Sequence, residues 1–382
     1  MIKQLLLAPG PTPVPARVRL AMAQPMFHHR TPQFSALFGE IREGLRQLFQ
    51  TEGDVLILAS SGTGAMEASI ANCFAPGDEV VVVNGGKFGE RWTKLSNTYG
   101  LKPIEIRVEW GRAVRADQVA TALDEHPKAR GVLVQASETS TAAVHPIDQL
   151  AAVTRERDAL LVVDGITAVG VYEIPMDRWG IDVLLTGSQK ALMLPPGLAL
   201  IALSNRAWAR VEKVSQPRFY FDLLRERANQ AKNTTAYTPA ISLVIGLREA
   251  LAMMHEEGLP NVFARHARLA RATRAAAEAL GLRLVAPDNP SPAVTGVYTP
   301  DDVDGGKLFA YLRDKMRVVF AGGQDHLKGK IIRIAHLGYM GAFDIVTAIA
   351  AFEMALRHFG HEVELGRGVG AVEAELLSAL PD

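Results

Sequence analysis

The sequence predicts an α/β fold, in which a large domain on a mostly parallel sheet of about seven strands precedes a smaller C-terminal α+β domain. Three observations support this. Short apolar runs recur through the first half of the chain, and helical patterns separate them. The runs lack polar alternation, which indicates strands covered on both faces, as in a parallel sheet. The length of 382 residues also exceeds what one core normally holds.

The predicted strands of the large domain cover residues 55–59, 79–83, 103–108, 131–134, 160–164, 182–185 and 198–202, with helices at 34–49, 88–99, 116–125 and 146–157. Helices at 219–230 and 240–257 follow, and Gly258-Leu259-Pro260 predicts a break. We therefore expect domains at 1–257 and 258–382, with the N-terminal segment packing on a partner or on the small domain. In the second domain, helices are predicted at 262–280, 306–315 and 342–358, and strands at 282–285, 294–298, 317–320 and 331–335.

Composition excludes several classes of partner. Lys plus Arg (41) equal Asp plus Glu (41), so no basic field is available for nucleic acid or an anionic membrane. The single cysteine, Cys73, excludes an intrachain disulfide and cysteine-built metal sites, which fits a cytoplasmic protein with no metal. Pro9 ends the only N-terminal apolar run too early for a signal peptide, and no run of about 18 apolar residues appears.

Two predicted strands lead to residues of complementary chemistry. The run at 182–185 leads to Lys190, and the run at 160–164 ends in Asp164. In open α/β sheets, ligands collect at the carboxyl ends of strands. A desolvated lysine there can form an imine, and an aspartate keeps a pyridine nitrogen protonated. The pair predicts a pyridoxal 5'-phosphate (PLP) enzyme in which Lys190 holds the cofactor as a Schiff base and Asp164 its ring nitrogen. A surface lysine and a helix-capping aspartate are the alternatives.

A turn of small residues follows the first predicted strand. Residues 59–67 read Ala-Ser-Ser-Gly-Thr-Gly-Ala-Met-Glu, and the helix that starts there offers free N–H groups and the Thr63 hydroxyl to a phosphate. A nicotinamide site is disfavoured for two reasons. Glu67 replaces the third glycine of the dinucleotide fingerprint, and Asn84 stands where a ribose-binding acid would be needed.

Three further segments fit the same site. Phe88, at a predicted helix start, could lie flat on the cofactor ring, although an ordinary core aromatic is the commoner case. Residues 135–141 offer hydroxyls to the ring's phenolic oxygen, although such a stretch is usually only a turn. Arg333 lies inside an apolar strand, where a substrate carboxylate would pair it, and an internal salt bridge is the alternative.

Seven sequence blocks occur in order along nearly the whole chain, beginning at residues 7, 29, 61, 163, 187, 237 and 333. They include Ser61-Gly-Thr-Gly-Ala-Met-Glu-Ala, Gly187-Ser-Gln-Lys-Ala-Leu and Arg333-Ile-Ala-His-Leu-Gly. They resemble the class V aminotransferases of PLP fold type I, in the branch of alanine–glyoxylate, serine–glyoxylate and serine–pyruvate aminotransferases. The resemblance implies a Schiff base on Lys190, a ring-nitrogen contact from Asp164, stacking by Phe88, a phenolic-oxygen contact from Thr139, a substrate-carboxylate contact from Arg333, and phosphate contacts from Thr63, Gly64, Ala65 and Gln189.

The same resemblance implies a homodimer with shared active sites, in which the partner chain adds a tyrosine and a threonine to the phosphate site. We assign these contacts to the group Thr235, Tyr237 and Thr238. Gly10, with the rest of the loop at residues 9–12, and the pair His28 and His29 are expected to shape the substrate pocket.

The expected activity is a ping-pong transamination from a small amino acid, alanine or serine, to a keto acid, glyoxylate or pyruvate. One alternative is a PLP lyase or cysteine desulfurase on the same fold, but a desulfurase needs a loop cysteine in the second half of the chain. Another is a hydrogenase-associated subunit with residual PLP binding. The branch includes proteins labelled as soluble hydrogenase subunits, and residues 322–330 look like theirs.

Overall fold

A computed structural model describes residues 4–378, so the outer ends of the two expected domains, residues 1–3 and 379–382, lie outside the described residues. The strands are β1 (Leu5–Leu6), β2 (Val55–Leu58), β3 (Glu79–Asn84), β4 (Lys102–Arg107), β5 (Ala129–Gln135), β6 (Ser137–Glu138), β7 (Ala143–Val144), β8 (Leu160–Asp164), β9 (Val183–Gly187), β10 (Ala199–Leu203), β11 (Val294–Tyr298), β12 (Val318–Val319), β13 (Ala321–Gly322) and β14 (Ile331–Ala335). The helices are α1 (Ala16–Met22), α2 (Pro32–Phe49), α3 (Gly62–Cys73), α4 (Lys87–Thr98), α5 (Ala116–Glu125), α6 (Ile147–Glu156), α7 (Met176–Trp179), α8 (Asn205–Val211), α9 (Leu223–Gln230), α10 (Ile241–Glu257), α11 (Leu259–Ala279), α12 (Gly305–Asp314), α13 (Ala342–His358) and α14 (Arg367–Leu377).

The main sheet has seven strands in the order β2-β10-β9-β8-β5-β3-β4, which confirms the predicted α/β class. Only β10 runs antiparallel to its neighbours. Helices α2, α5, α6 and α10 bury apolar side chains on one face, and α3, α4 and α8 on the other. Coverage of both faces explains why the central strands are continuous apolar runs.

The register of the sheet brings three strand ends together. Gln135 at the end of β5 pairs with Asp164, and Asp164 pairs with Leu185 of β9. Because these strands are parallel, the segments that follow them emerge at the same edge of the sheet. Lys190 lies in the segment after β9, so the acid and the amine come from neighbouring strands.

A second core forms around the three-stranded sheet β11-β14-β13, with α11, α12, α13 and α14 against it. The N-terminal strand β1 pairs in parallel with β12, and Leu7 is buried in this second core. The N-terminal segment therefore packs on the C-terminal part of the same chain. The division at residue 258 remains a prediction.

Several element boundaries differ from the sequence-based expectations. The expected strand at 282–285 is reduced to an isolated bridge between Leu284 and Val297. Helix α9 begins at Leu223 rather than at 219, because Asp222 caps it with hydrogen bonds from two backbone N–H groups. Only Gly258 separates α10 from α11. Pro260 does not extend the break, because it lies in the first turn of α11, where proline is tolerated. None of the described helices is both long and apolar enough to cross a bilayer.

Candidate active site

A cavity lies at the carboxyl edge of the main sheet, where the strand ends converge. Its walls come from the start of α3, the start of α4, the segment after β5, the end of β8 and the segment after β9. The lining residues are Ser61, Gly62, Thr63, Phe88, Arg91, Ser137, Thr139, Asp164, Ile166, Thr167, Gln189 and Lys190. Six of the residues predicted from the sequence thus share one cavity.

The N-terminal loop holds Lys190 from one side. The ammonium group of Lys190 donates a hydrogen bond to the carbonyl oxygen of Pro9. The Thr12 hydroxyl donates to the Lys190 carbonyl oxygen at 2.8 Å. Gly10 has a φ of 132°, and a Cβ there would overlap the lysine side chain, so this position requires glycine. Gly10 thus packs directly against the side chain of Lys190, while its predicted contact with the substrate stays a prediction.

Burial lowers the pKa of Lys190 to about 8. The carboxylate of Asp164 opposes that shift, while the guanidinium groups of Arg333 and Arg91 add to it. Near neutral pH, the neutral fraction of the Lys190 amine is therefore larger than that of an exposed lysine. A neutral amine is the form that attacks a carbonyl or accepts a proton.

Asp164 is a nearly fully buried carboxylate, with only 4% of its surface exposed. Burial raises its pKa to about 6, and the N–H of Ile166, which donates to Oδ1 at 2.9 Å, works in the opposite direction. A buried carboxylate is stabilised by a cationic partner. A protonated pyridine nitrogen would be such a partner in this cavity.

The start of α3 forms a cradle suited to a phosphate. The N–H groups of Gly64 and Ala65 bond back to the Ser61 carbonyl oxygen, so these two predicted residues shape the turn and are buried behind it. Gly62 and Thr63 line the cavity directly. The Oε1 atom of Gln189 is buried and finds no hydrogen-bond partner within residues 4–378. This oxygen can only accept a hydrogen bond, so a contact from Gln189 to a phosphate would have to come from its Nε2 group. The support for an anion comes from the N-terminus of α3, which offers backbone N–H groups.

Phe88 and Arg91 lie one turn apart at the start of α4. The guanidinium carbon of Arg91 lies 4.9 Å from the centre of the Phe88 ring. Arg91 also donates to the Thr63 hydroxyl at 3.1 Å, so it links α4 to the α3 turn. The predicted aromatic wall is thus in the cavity, and it is tied to the phosphate cradle.

Arg333 reaches the cavity through Thr139. Its Nη1 donates to the Thr139 carbonyl oxygen at 2.8 Å, and its Nε and Nη2 donate to the Gly322 carbonyl oxygen. Burial lowers the pKa of Arg333 to about 10. The alternative of an internal salt bridge is wrong within the described chain, because the partners of this guanidinium are carbonyl oxygens. Arg333 is not among the residues that line the cavity, and its contact with a substrate carboxylate stays a prediction.

The segment after β13 closes over this region. Asp325 pairs with Lys87, the neighbour of Phe88, at 2.7 Å. The rings of His326 and Trp110 lie 4.3 Å apart. The stretch at residues 322–330 therefore joins the C-terminal sheet to the main-sheet side of the cavity.

The remaining predicted residues lie elsewhere in a single chain. Thr235, Tyr237 and Thr238 line a separate recess with Tyr220 and Phe221. His28 and His29 precede α2 and are not among the residues that line the Lys190 cavity. These five residues meet this cavity only if a second chain brings them to it.

Three functional candidates were not predicted from the sequence: Arg91, Glu138 and Thr167. Thr167 shares a 2.6 Å hydrogen bond with the Thr139 hydroxyl, and Glu138 accepts N–H groups at the start of α4. Arg91 lies three residues after Phe88, so on a helix the two side chains are neighbours on one face, and this spacing would have indicated Arg91 as a second cavity residue. No sequence pattern marks the other two, because their partners are far away along the chain.

The sheet, the strand-end amine and acid, and the anion cradle define a PLP-dependent enzyme of fold type I. The sequence profile described as "Aminotransferase class-V" matches residues 6–338. The chain therefore belongs to the class V aminotransferase family, whose cofactor is PLP.

Individual relatives bear two kinds of name, hydrogenase subunit and aminotransferase. The chain is 42% identical to the "Soluble hydrogenase 42 kDa subunit" of Anabaena cylindrica, over 97% of each chain. It is 36% identical to the "L-aspartate--glyoxylate aminotransferase" of Paracoccus denitrificans, over 96% of this chain and 95% of that one. Among solved structures, the ureidoglycine-glyoxylate aminotransferase from Bacillus subtilis superposes with a TM-score of 0.94 at 28% identity, covering 99% of both chains.

Proposed function

We propose that this protein is a transaminase that moves the amino group of a small amino acid, alanine or serine, to glyoxylate or pyruvate. The observation that carries this proposal is the cavity shared by Lys190 and Asp164 beside the α3 anion cradle. When bound, PLP withdraws electrons from the Cα–H bond of an amino acid joined to it. The residues of this chain must then hold the cofactor, orient the substrate and move one proton.

Lys190 is the proposed anchor and proton carrier. Its lowered pKa, about 8, keeps part of the amine neutral, so it can accept the proton from the substrate Cα and deliver it to C4' of the cofactor. The hydrogen bond to Pro9 holds the amine in the cavity when it is not covalently bound. Lys190 is therefore the catalytic residue of both half-reactions.

Asp164 is the proposed partner of the ring nitrogen. The Ile166 N–H holds one carboxylate oxygen, which fixes the direction of the other. Phe88 would cover one ring face, Thr139 would contact the phenolic oxygen, and Thr63 with Gln189 would contact the phosphate. All of these side chains line the same cavity.

Arg333 is the proposed site for the substrate carboxylate. It is 7% exposed, and its pKa remains far above neutrality, so it is a buried cation. A carboxylate that replaced the Gly322 carbonyl oxygen would neutralise this charge with two parallel hydrogen bonds. The close packing of Gly10 on Lys190 leaves little room beside the amine, which favours small side chains.

We also propose a cytoplasmic homodimer with shared active sites. The recess that contains Thr235, Tyr237 and Thr238 is flanked by Phe219 and Tyr220, which are 73% and 48% exposed. Exposed aromatics of this size favour a protein contact. Phe221, which lines the same recess, borders the α3 turn at Gly64, so a dimer contact at this recess would lie next to the phosphate site.

The test is a half-reaction screen on the PLP-loaded protein. Each amino acid is added alone, and the visible absorbance of the bound cofactor is followed. We expect alanine or serine to bleach the absorbance and glyoxylate or pyruvate to restore it. In steady-state assays with both substrates, double-reciprocal plots of initial rate against donor concentration at several acceptor concentrations should be parallel, as a ping-pong mechanism requires. A loaded protein that no amino acid bleaches would contradict the proposal.

Specific observations favour a transaminase over the two alternatives, a desulfurase and a hydrogenase-associated subunit. A desulfurase needs an accessible thiolate, but Cys73 is fully buried in α3 and burial raises its pKa to about 12. A hydrogenase-associated subunit with residual PLP binding does not require Lys190, Asp164 and Arg333 all to be retained, and this chain has all three. The half-reaction screen distinguishes the hydrogenase-subunit alternative from a transaminase, because such a subunit would bind PLP without turnover.

A further inference from the structure

Glu138 is a buried carboxylate to which the proposed mechanism gives no role. None of its surface is exposed. Its hydrogen-bond partners are three backbone N–H groups and one hydroxyl, and none of them carries a positive charge. The Arg333 guanidinium interacts with it electrostatically but does not form a hydrogen bond to it. Burial of a carboxylate without a hydrogen-bonded cation is costly unless several donors are directed at it. The cost suggests that the position of this group serves a purpose.

The carboxylate joins two walls of the cavity. Oε2 accepts the N–H groups of Phe88 at 3.1 Å and Gly89 at 3.0 Å. Oε1 accepts the N–H and the hydroxyl of Ser140. The first residues of α4 are thus capped by a side chain about 50 residues away along the chain. A negative charge at a helix N-terminus also interacts favourably with the helix dipole.

Gly86 makes room for this contact. A Cβ at Gly86 would lie 2.5 Å from Cδ of Glu138 and 2.5 Å from Oγ of Ser140. The φ of Gly86 is 168°, an extended value that any residue can adopt. Space alone therefore requires glycine, which indicates that residues 86–89 and 138–140 are closely fitted to each other.

The two connected segments carry the residues that face cofactor and substrate. Helix α4 carries Phe88 and Arg91 into the cavity. On the other side, the Thr139 carbonyl oxygen holds Arg333, and the Thr139 hydroxyl bonds to Thr167. A shift of Glu138 would move the ring-stacking wall relative to the substrate arginine.

We propose that Glu138 is a positioning residue, which holds Phe88 and Arg91 in register with Thr139 and so sets the orientation of the bound cofactor ring. The inference rests on the proposed function, because it takes Phe88 as the stacking residue. Glu138 acts through α4 and does not touch the reacting atoms.

The test variant is Glu138→Gln, which keeps the shape but removes the charge and one acceptor oxygen. The matched control is Glu353→Gln. Glu353 is also buried, and it accepts the N–H groups of Gly366, Gly368 and Val369 at the start of α14, away from the cavity. Both variants remove a buried glutamate cap, so a purely structural effect should be similar in the two.

Three quantities are measured on the full chain: the thermal midpoint of the apoprotein, the Kd for PLP, and the visible circular dichroism of the bound cofactor. We expect both variants to lower the midpoint. Only Glu138→Gln should weaken PLP binding, by about tenfold or more, and change the circular dichroism of the cofactor, since a small displacement in an active site has large effects. Hydrogen exchange at Phe88 and Gly89 should also accelerate in this variant.

If Glu138→Gln matches Glu353→Gln in stability, with wild-type Kd and circular dichroism, Glu138 is only a helix cap and the inference is overturned. Should Glu138→Gln fail to fold, Gly86→Ala replaces it, because the added methyl displaces the carboxylate without removing it. The same changes in Kd and dichroism are expected, and their absence would equally overturn the inference. A wild-type protein that binds PLP without bleaching would instead contradict the proposed function and leave the Glu138 measurements interpretable.

Discussion

The guanidinium of Arg333 donates its Nη1 hydrogen to the carbonyl oxygen of Thr139 at 2.8 Å. Arg333 belongs to the C-terminal sheet, whereas Thr139 lines the cavity at the edge of the main sheet. The two cores of the chain therefore meet at the proposed binding site. A substrate carboxylate held by this arginine would be fixed relative to the amine of Lys190.

Arg333→Gln should raise KM for the amino donor by at least about tenfold, with a smaller effect on kcat. A hydrogen bond to a charged group contributes roughly 1.5–3 kcal/mol, about twice as much as one between neutral groups. Steady-state kinetics with alanine or serine would show the split between KM and kcat. Arg210→Gln controls for the general loss of an arginine away from the cavity, since Arg210 donates to the Cys73 carbonyl oxygen and also pairs with Asp78. Equal effects in both variants would argue against a substrate contact.

Lys190→Ala should abolish turnover while PLP still binds through its phosphate and ring contacts. The reason is that no other lysine lines the cavity among the described residues. Loss of covalent attachment is checked by borohydride reduction followed by mass spectrometry. A small primary amine in the buffer should restore part of the activity by replacing the missing group. Near-wild-type turnover without added amine would remove the assigned role.

Asp164→Asn should lower kcat by at least about 100-fold, because a neutral amide cannot keep the ring nitrogen protonated. Single-turnover bleaching with an amino donor measures this step directly. Asp182→Asn is a suitable control. Asp182 is also buried, but it bonds to Leu161 and Ser204 at the opposite edge of the sheet. It should affect stability without the loss in rate.

The titration of Lys190 should make the apoprotein more stable as pH rises from about 8 to 10.5. Its folded pKa is lowered, so within this window the folded state binds fewer protons than the unfolded state, and stability increases with pH. Below about 8 both states are protonated and the full penalty applies. At about 1.4 kcal/mol per pKa unit, the effect is roughly 3 kcal/mol. Urea unfolding across this range would show the rise in wild type, and Lys190→Met should lose it.

The sequence predicted the parts of the site that follow local rules. Asp164 and Lys190 could be placed because buried strands are continuous apolar runs and their ends share one edge. Thr63 could be placed because small residues mark the start of α3. Glu138 and Thr167 could not, because their roles depend on loop conformations and on contacts distant in sequence. The group Thr235, Tyr237 and Thr238 remained unresolved for a different reason, since a single chain keeps it apart from the cavity.

The surroundings of Lys190 are assembled from both ends of the polypeptide. Pro9 and Thr12 contact it from near the N-terminus, and the backbone at Gly338 lies so close that a Cβ there would be 3.0 Å from the Lys190 carbonyl oxygen. A chain truncated after α10 would lack both the Gly338 backbone and the Arg333 guanidinium, which helps to lower the pKa of Lys190, so the surroundings of the amine are complete only when the C-terminal part has packed against the main sheet.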